Sequence, residues 1–321
     1  MFSHTQNGVW YNMKRIDVAD LDCIYLTYDE PEREEFWVKI KNMIPWARRV
    51  DGVRGSDAAH KAAAEASDTE RFILIDGDNI PTEQFFNLTL EFADETWESA
   101  VFRWRARNHI NGLMYGNGGI SSWTRTFVNR MRTHEATDGS VETQVEFCFD
   151  PLYWAMHDCY STTYPNGSAF HAWRAGFREG VKMCLNKGAR PTVTEFRQRV
   201  HQRNLDHLTI WHNIGRDVEH GIWAMAGARQ GTYMTMITPT WDHRAVQDFD
   251  ELEKLWLTVR DSNPEMVAGH VAEDLATQLD LPMITVLGAE SAFFKQHYRS
   301  NWHNQGVMVR EIDVIRRQEG W

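Results

Sequence analysis

The sequence predicts an α/β fold with a mainly helical C-terminal portion, and three observations carry that prediction. Residues 23–28 (CIYLTY) and 72–75 (FILI) are apolar runs of strand length. Helix-forming stretches lie between them, so that strand, helix and strand recur within about 50 residues, the pattern of a parallel sheet. From about residue 194 the apolar spacing turns mainly helical.

Taken in order, residues 23–28 form a buried strand that stops at Asp29-Glu30-Pro31, because proline cannot continue a ladder. Residues 33–42 read as a helix. Ser56 is the expected N-cap of the next one, with Asp57 in its first turn and the alanine-rich stretch 58–66 as a strong helix former. Residues 72–75 make a second buried strand that runs into Asp76-Gly77-Asp78-Asn79. Residues 100–104 and 145–149 read as further strands, and 112–122 (GLMYGNGGISS) as a glycine-rich loop. Residues 168–187 form a helix capped by Ser168 and ended by Gly188, with Phe170, Trp173, Phe177, Val181 and Cys184 as its apolar stripe. Helical segments follow near 194–204, 217–228, 247–260, 264–279, 289–299 and 309–318. The stretch Ile237-Thr238-Pro239-Thr240 marks an expected boundary near 240, dividing residues 1–240 from a helical extension, 241–321.

The 321 residues suffice for a full core, and 42% hydrophobic with 25% charged residues is ordinary globular composition. The net charge of −11 does not suit a protein held to DNA by a broad basic surface. No apolar run approaches a membrane span, mean hydropathy is −0.52, and the start MFSHTQNGVWYNMKR lacks the apolar core of a signal peptide. The expectation is a soluble cytoplasmic protein. Cys23, Cys148, Cys159 and Cys184 form no CxxC pair, so neither a zinc ribbon nor a dithiol redox site is indicated. The 14 tryptophans suit a core, and they equally suit stacking on sugars or bases.

Asp76-Gly77-Asp78 carries the strongest chemical signal. Two carboxylates leave the end of an apolar strand, the edge at which α/β sheets bind ligands. Their hard oxygens suit Mg²⁺ or Mn²⁺ bridging a diphosphate. The competing interpretation is an ordinary Asp-Gly turn. Arg54 and Lys61 flank a helix N-terminus that can meet phosphates, or they belong to a solvated loop and helix face. Gly112, Gly116, Gly118 and Gly119 permit close backbone approach to a ligand or make a hairpin tip, and their order does not match GxGxxG. Arg174 and Arg178 share one helix face with Glu179 one position round: an anion site with a general base, or a solvated face. His212 and His220 are candidate additional metal ligands. Residues 102–107 (FRWRAR) and 197–203 (RQRVHQR) interleave cations with aromatic or polar residues, fit to track a phosphate backbone or to pack their stems on the fold.

Several strings resemble a family of GT-A glycosyltransferases encoded by tailed phages: TYDEP (27–31), PWARRVDGVRGSDAAHKAAAEASDT (45–69), FILIDGDN (72–79), RWRARNHINGLMYGNGG (103–119), AFHAWRAGFREGVKM (169–183) and GARQG (227–231). The likeness spans roughly residues 20–260. It departs from the family at Asn108-His109-Ile110, where prolines are usual. The resemblance implies a Rossmann-like nucleotide-sugar-binding half with a DxD motif. It also implies transfer of a sugar from a UDP-sugar, with Mn²⁺ or Mg²⁺, to a hydroxymethylated pyrimidine of phage DNA in the host cytoplasm. Asp76 would contact ribose and metal, Asp78 would hold the metal, and His212 is a further candidate ligand. Asp29, Glu30, Arg54 and Lys61 would lie near the nucleotide, with Arg174 and Arg178 toward the donor. Gly118, Gly119, Trp104 and Trp173 would line the sugar or acceptor cleft. If transfer inverts at the sugar, a carboxylate base is needed, and Glu179 is the expected one, with Asp150 and Asp158 as competitors; Trp104 or Trp123 would stack a flipped base. The alternatives are a glycan or protein acceptor, and a non-catalytic nucleotide- or DNA-binding module.

Overall fold

The computed structural model describes residues 5–6, 9–10, 14–92, 95–131, 133, 148, 150, 152–238 and 240–298, and it is a mixed α/β structure. Two small antiparallel pairs stand apart from the main sheet: β1 (Thr5–Gln6) with β2 (Val9–Trp10), and β3 (Lys14–Asp17) with β8 (Thr89–Phe92). The main sheet begins with β4 (Asp22–Thr27), α1 (Arg33–Met43), β5 (Arg48–Asp51), α2 (Ser56–Glu65) and β6 (Arg71–Asp76). β4 pairs in parallel with both β5 and β6, as expected for strands joined through helices. β7 (Asn79–Pro81), β9 (Val101–Asn108), β10 (Met114–Thr124) and β11 (Tyr153–Thr163) complete seven strands in the order β5-β4-β6-β10-β9-β11-β7.

Strand alternation sorts the apolar residues into two layers. On β6, Ile73 and Ile75 face α1 with Phe36, Ile40, Phe85 and Trp104. Phe72 and Leu74 face the other way, with Ala63 of α2, Trp123 and Phe127. Burial on both faces is why this strand reads as an unbroken apolar run. Between β8 and β9 lies α3 (Glu95–Glu98), and after β10 comes α4 (Arg125–Arg130).

A third core is helical. It gathers α5 (Ala169–Lys182), α6 (Phe196–Arg199), α7 (Gln202–Asn213), α8 (Gly221–Met236), α9 (Phe249–Leu257), α10 (Pro264–His270), α11 (Ala272–Leu279) and α12 (Gly288–His297). Its centre is the α5–α8 crossing, where backbone meets backbone. A Cβ on Gly176 would lie 1.9 Å from the Ala224 carbonyl oxygen, and one on Gly227 would lie 2.1 Å from that of Trp173. Val246, Leu252, Leu275 and Leu279 join this same core, so the chain passes residue 240 without leaving it. α12 returns to the sheet: Lys295 Nζ lies 2.6 Å from Asp217 and donates to the His109 carbonyl, while Arg107 donates to the Lys295 carbonyl. Among the described residues, no helix is long and apolar enough to cross a membrane.

Several local expectations change. Ser56 is the first residue of α2, and Gly55 at φ +91° precedes it as an N-cap without a side-chain bond. Ser168 does cap α5, accepting from His171 N, but the helix ends at Lys182, before Gly188. The stretch 112–122, expected as a loop, is mostly strand β10. The strand expected at 145–149 lies outside the described residues apart from Cys148, which bridges Thr133. The helix expected at 309–318 also lies outside them.

Candidate functional site

The loops leaving β4, β5 and β6 come out at one edge of the sheet, because the three strands are parallel. They form one wall of a cleft of about 1230 Å³, and α5, α7, the sheet strands β9 to β11 and the start of α9 form the others. Of the sequence-predicted residues, Asp29, Glu30, Arg54, Asp76, Asp78, Arg174, Arg178 and Glu179 line it.

The carboxylates meet at its floor. Asp78 is held on both oxygens: Asn79 Nδ2 donates to Oδ1 (2.7 Å) and Thr163 Oγ1 to Oδ2 (2.8 Å). The Gly77 carbonyl accepts from Tyr25 (2.7 Å), which fixes the turn. Glu30 folds against Gly77 so closely that a Cβ there would lie 2.5 Å from the carboxylate and would displace that side chain. Cleft water reaches Asp76, yet protein surrounds it on its other sides. Dehydration by that surround, then the charges of Asp78 and Glu30, pushes its carboxyl well above the usual range. Glu30 is raised in the same sense, first by burial and then by Asp78 and Asp29, although the Tyr28 N–H bond opposes this. Three like charges thus converge, and no cation is ion-paired to Asp76, Asp78 or Glu30 among the described residues.

The oxygens of Asp76 and Asp78 are hard ligands of the kind Mg²⁺ and Mn²⁺ take. Among the described residues no three His, Cys, Asp or Glu side chains form a complete ligand set.

The facing wall is basic because of helix periodicity. Positions 173, 176, 177, 180 and 181 of α5 turn into the core, which leaves Arg174, Arg178, Glu179 and Lys182 toward the cleft. Arg174 pairs with Asp29 (3.2 Å), and His171 Nε2 lies 3.5 Å from the same carboxylate. Burial would raise Asp29, but His171 and Arg174 outweigh it and hold the carboxyl well below its usual range. The Phe249 ring lies 4.5 Å from the Arg174 guanidinium and 5.1 Å from that of Arg178. Arg178 is pushed down to about 10 by burial and then by Arg174, and its buried Nε has no hydrogen-bond partner. Glu179 accepts from the Tyr115 hydroxyl, which in turn accepts from Trp211 Nε1 (2.7 Å).

Other expected residues lie elsewhere. Trp104 is buried against Phe85 (4.8 Å), because on β9 it points opposite to Arg103 and Arg105. Trp173 is buried in the helical core with Nε1 donating to Gln230 (2.6 Å). His212 is fully buried beside Thr232 (3.0 Å), and burial followed by the Arg229 charge pushes it down to about 3, so it does not join the carboxylates. Lys61 pairs with Asp57 one turn back (2.6 Å) and does not line the cleft. Arg54 stands at the cleft but pairs with Asp250 (2.7 Å). Gly119 packs against Asn79, and the surroundings of Gly118 lie outside the described residues. Of the competing bases, Asp150 accepts from Leu152 N (2.8 Å) and Asp158 sits on β11 3.6 Å from His157, both away from the cleft lining. Trp123 borders the cleft but is as deeply buried as Trp104, packed against His60 and Phe127, and Trp46 does not line the cleft. His220 lies outside the cleft lining and heads α8 at φ +56°.

Tyr115, Arg203, His207 and Phe249 line the cleft without having been singled out one by one. Arg203 carried a signal in the sequence as the last residue of its basic run and Tyr115 lay within the glycine-rich stretch 112–122, whereas His207 and Phe249 carried none. Comparison of the chain with protein-family models, with curated proteins and with solved structures gives no match.

Proposed function

We propose that the protein is a GT-A-type glycosyltransferase that moves a sugar from a UDP-sugar to the hydroxymethyl group of a pyrimidine in DNA. One observation carries this: Asp76 and Asp78, at the exit of β6, share a single cleft with the Arg174–Arg178–Glu179 face of α5. The sequence resemblance supplies the DNA acceptor.

In this reading Asp76 and Asp78 would hold Mn²⁺ or Mg²⁺, which when bound would supply Lewis-acid neutralisation of charge on a nucleoside diphosphate. Arg178, with a buried and unpartnered Nε, adds fixed positive charge toward the same group without reorganising. Arg174 and His171 keep Asp29 ionised, so that it is ready to accept from a nucleoside hydroxyl or N–H. Glu179 takes the proton from the acceptor hydroxyl as that oxygen bonds to the sugar carbon and the diphosphate leaves. Tyr115 orients Glu179 through its hydroxyl. Trp123 is buried against His60, Phe127 and Tyr153, so of these two rings only the half-buried Tyr153 gives the cleft aromatic surface for a flipped base.

The test is incubation of the protein with a panel of UDP-sugars and Mn²⁺, with hydroxymethylated DNA or oligosaccharides as acceptor, followed by mass spectrometry. A hexose or pentose mass gain on the nucleoside, lost in Asp78→Ala, is expected. Gain on a glycan alone moves the acceptor to the alternative class. Full transfer by Asp78→Ala overturns the site.

A further inference from the structure

The two basic runs of the sequence, 103–107 and 197–203, are each divided by the fold. Arg107 is used on the Lys295 carbonyl, Arg197 pairs with Asp280, and Arg199 pairs with Glu195. What remains is Arg103 and Arg105 from β9 and Arg203 from α7, and these come together in the cleft. Strand alternation turns 103 and 105 to the same face, and α7 contributes Arg203 and His207 one helical turn apart.

Among the described residues, neither the Arg105 nor the Arg203 guanidinium has an ion-pair or hydrogen-bond partner. Arg103 lies over the Tyr153 ring (4.0 Å) and has a buried Nε without a hydrogen-bond partner. Burial, then the neighbouring Arg203 charge, lowers Arg105, and the same two causes push His207 down to about 4. Cations crowded together and partly dehydrated carry a cost that an incoming anion removes. The cluster also has a position relative to the chemistry. The His207 ring lies 4.6 Å from Tyr115, and Tyr115 donates to Glu179. The cluster thus reaches the proposed base through His207 and Tyr115, and all of these residues line one cleft.

We infer that Arg105 and Arg203 form a subsite for the phosphate ester attached to the acceptor nucleoside, separate from the site that holds the diphosphate of the donor. A guanidinium grips two phosphate oxygens in a fixed fork, and two of them on facing elements fix the nucleotide relative to Glu179. The word acceptor rests on the glycosyltransferase reading, whereas the binding of a nucleotide phosphate does not. The same chemistry serves a free nucleoside monophosphate and a DNA strand.

The experiment measures binding by the full chain of a fluorescein-labelled single-stranded oligodeoxynucleotide containing hydroxymethylcytosine, as anisotropy over a salt series. Hydroxymethyl-dCMP is the competitor, and UDP with Mn²⁺ is titrated in parallel. Arg203→Gln sits on an exposed helix face and leaves the fold intact. Arg105→Gln is paired with the charge-keeping Arg105→Lys. Each Gln variant is expected to weaken the oligonucleotide roughly tenfold or more, as loss of a charge-assisted bond does. Each should also flatten the salt slope by about 0.7 per lost single-strand phosphate contact, while UDP affinity stays unchanged. Arg105→Lys should recover part of the loss. Displacement by the mononucleotide, weakened in the same variants, assigns the subsite to a free nucleotide; displacement by oligonucleotides alone assigns it to a strand. Unchanged oligonucleotide binding in both Gln variants overturns the inference. So does an equal loss of UDP binding, which would give these arginines to the donor. If the wild type binds DNA through Arg105 and Arg203 yet transfers no sugar to it, the subsite stands and the glycosyltransferase reading falls. If transfer is intact and the variants bind normally, the reverse holds.

Discussion

The substitution Gly176→Ala sets two physical effects against each other. Alanine favours a helix over glycine by about 0.8–1.0 kcal/mol, so propensity alone raises stability. Packing opposes this. The new Cβ would lie 1.9 Å from the Ala224 carbonyl oxygen, and relief to an ordinary 3.4 Å contact needs a shift of 1.5 Å. The obstacle is helix backbone, which cannot swing aside as a side chain can. Moving α8 bodily opens the most extensive helix contact of the core, because at Gly180, Gly227 and Gly231 too an added Cβ would lie 2.2, 2.1 and 2.2 Å from the opposing carbonyl. A gap of 0.5–1 Å already forfeits about a quarter to a half of each dispersion contact. Overpacking typically costs about 1–3 kcal/mol, and a backbone clash belongs at the upper end or beyond. The net expectation is a loss of about 2 kcal/mol or more, roughly 3 °C or more in Tm for a chain of this length. Gly269→Ala is the control. Gly269 is also helical, but a Cβ there meets nothing within 4 Å, so propensity acts alone. It should raise stability by up to about 1 kcal/mol. Urea denaturation of both variants beside the wild type checks the pair. A Gly176→Ala protein as stable as Gly269→Ala would refute the backbone contact between α5 and α8.

Further outcomes follow from the same geometry. Glu179→Gln should lower kcat for sugar transfer by about 10²–10⁴-fold with donor affinity retained, and Tyr115→Phe should cost less, because it disturbs only the orientation of the carboxylate; isothermal titration with UDP separates donor affinity from kcat. Because Asp76 is raised, a proton competes with a cation above the ordinary carboxylate range, so Mn²⁺ affinity in the presence of UDP should tighten with rising pH and release protons. Calorimetry in two buffers of different ionisation enthalpy reads that release, and a pH-independent affinity contradicts it. His207 and His212 are buried neutral at about 4 and about 3, so the unfolded chain binds protons that the native chain refuses. Their contribution is complete above about pH 6.5 and is lost as pH falls through 6.5 toward those values, by up to about 1.36 kcal/mol per pH unit for each. The denaturation midpoint should therefore fall more steeply with acid in the wild type than in His212→Gln, and equal slopes would refute the neutral burial.

How far the sequence reveals this molecule depends on whether its signals are local. β6 and its carboxylate exit are legible, because a strand buried on both faces writes an apolar run and the chain must break where it meets solvent. α5 is legible from its stripe and from the Ser168 cap. β10 is hidden because its glycines suit a turn as well as a strand, and only pairing with β6 and β9 decides between them. β11 is hidden because polar residues and two register shifts break its alternation. At the site, the surplus of tryptophan does not say which way each ring points. The information was nonetheless present: Trp104 alternates with Arg103 and Arg105, and Trp173 belongs to the very stripe that buries α5. The meeting of Arg105, Arg203 and Glu179 depends on contacts far apart in sequence, which no spacing rule reaches.

The return of α12 to the sheet bears on the order in which the chain becomes complete during synthesis. The bonds from Lys295 to His109 and from Arg107 to Lys295 close loops of 186 and 188 residues. Closing so long a loop carries an entropic cost that only the finished contacts repay. Arg107 continues the strand that bears Arg103 and Arg105. Backbone pairing with β10 and β11 already fixes the far end of that strand once residue 163 is made, and the same stretch brings Thr163 to Asp78, so the carboxylate floor and the arginine strand can form together while the clasp between Arg107 and Lys295 is added only when α12 arrives.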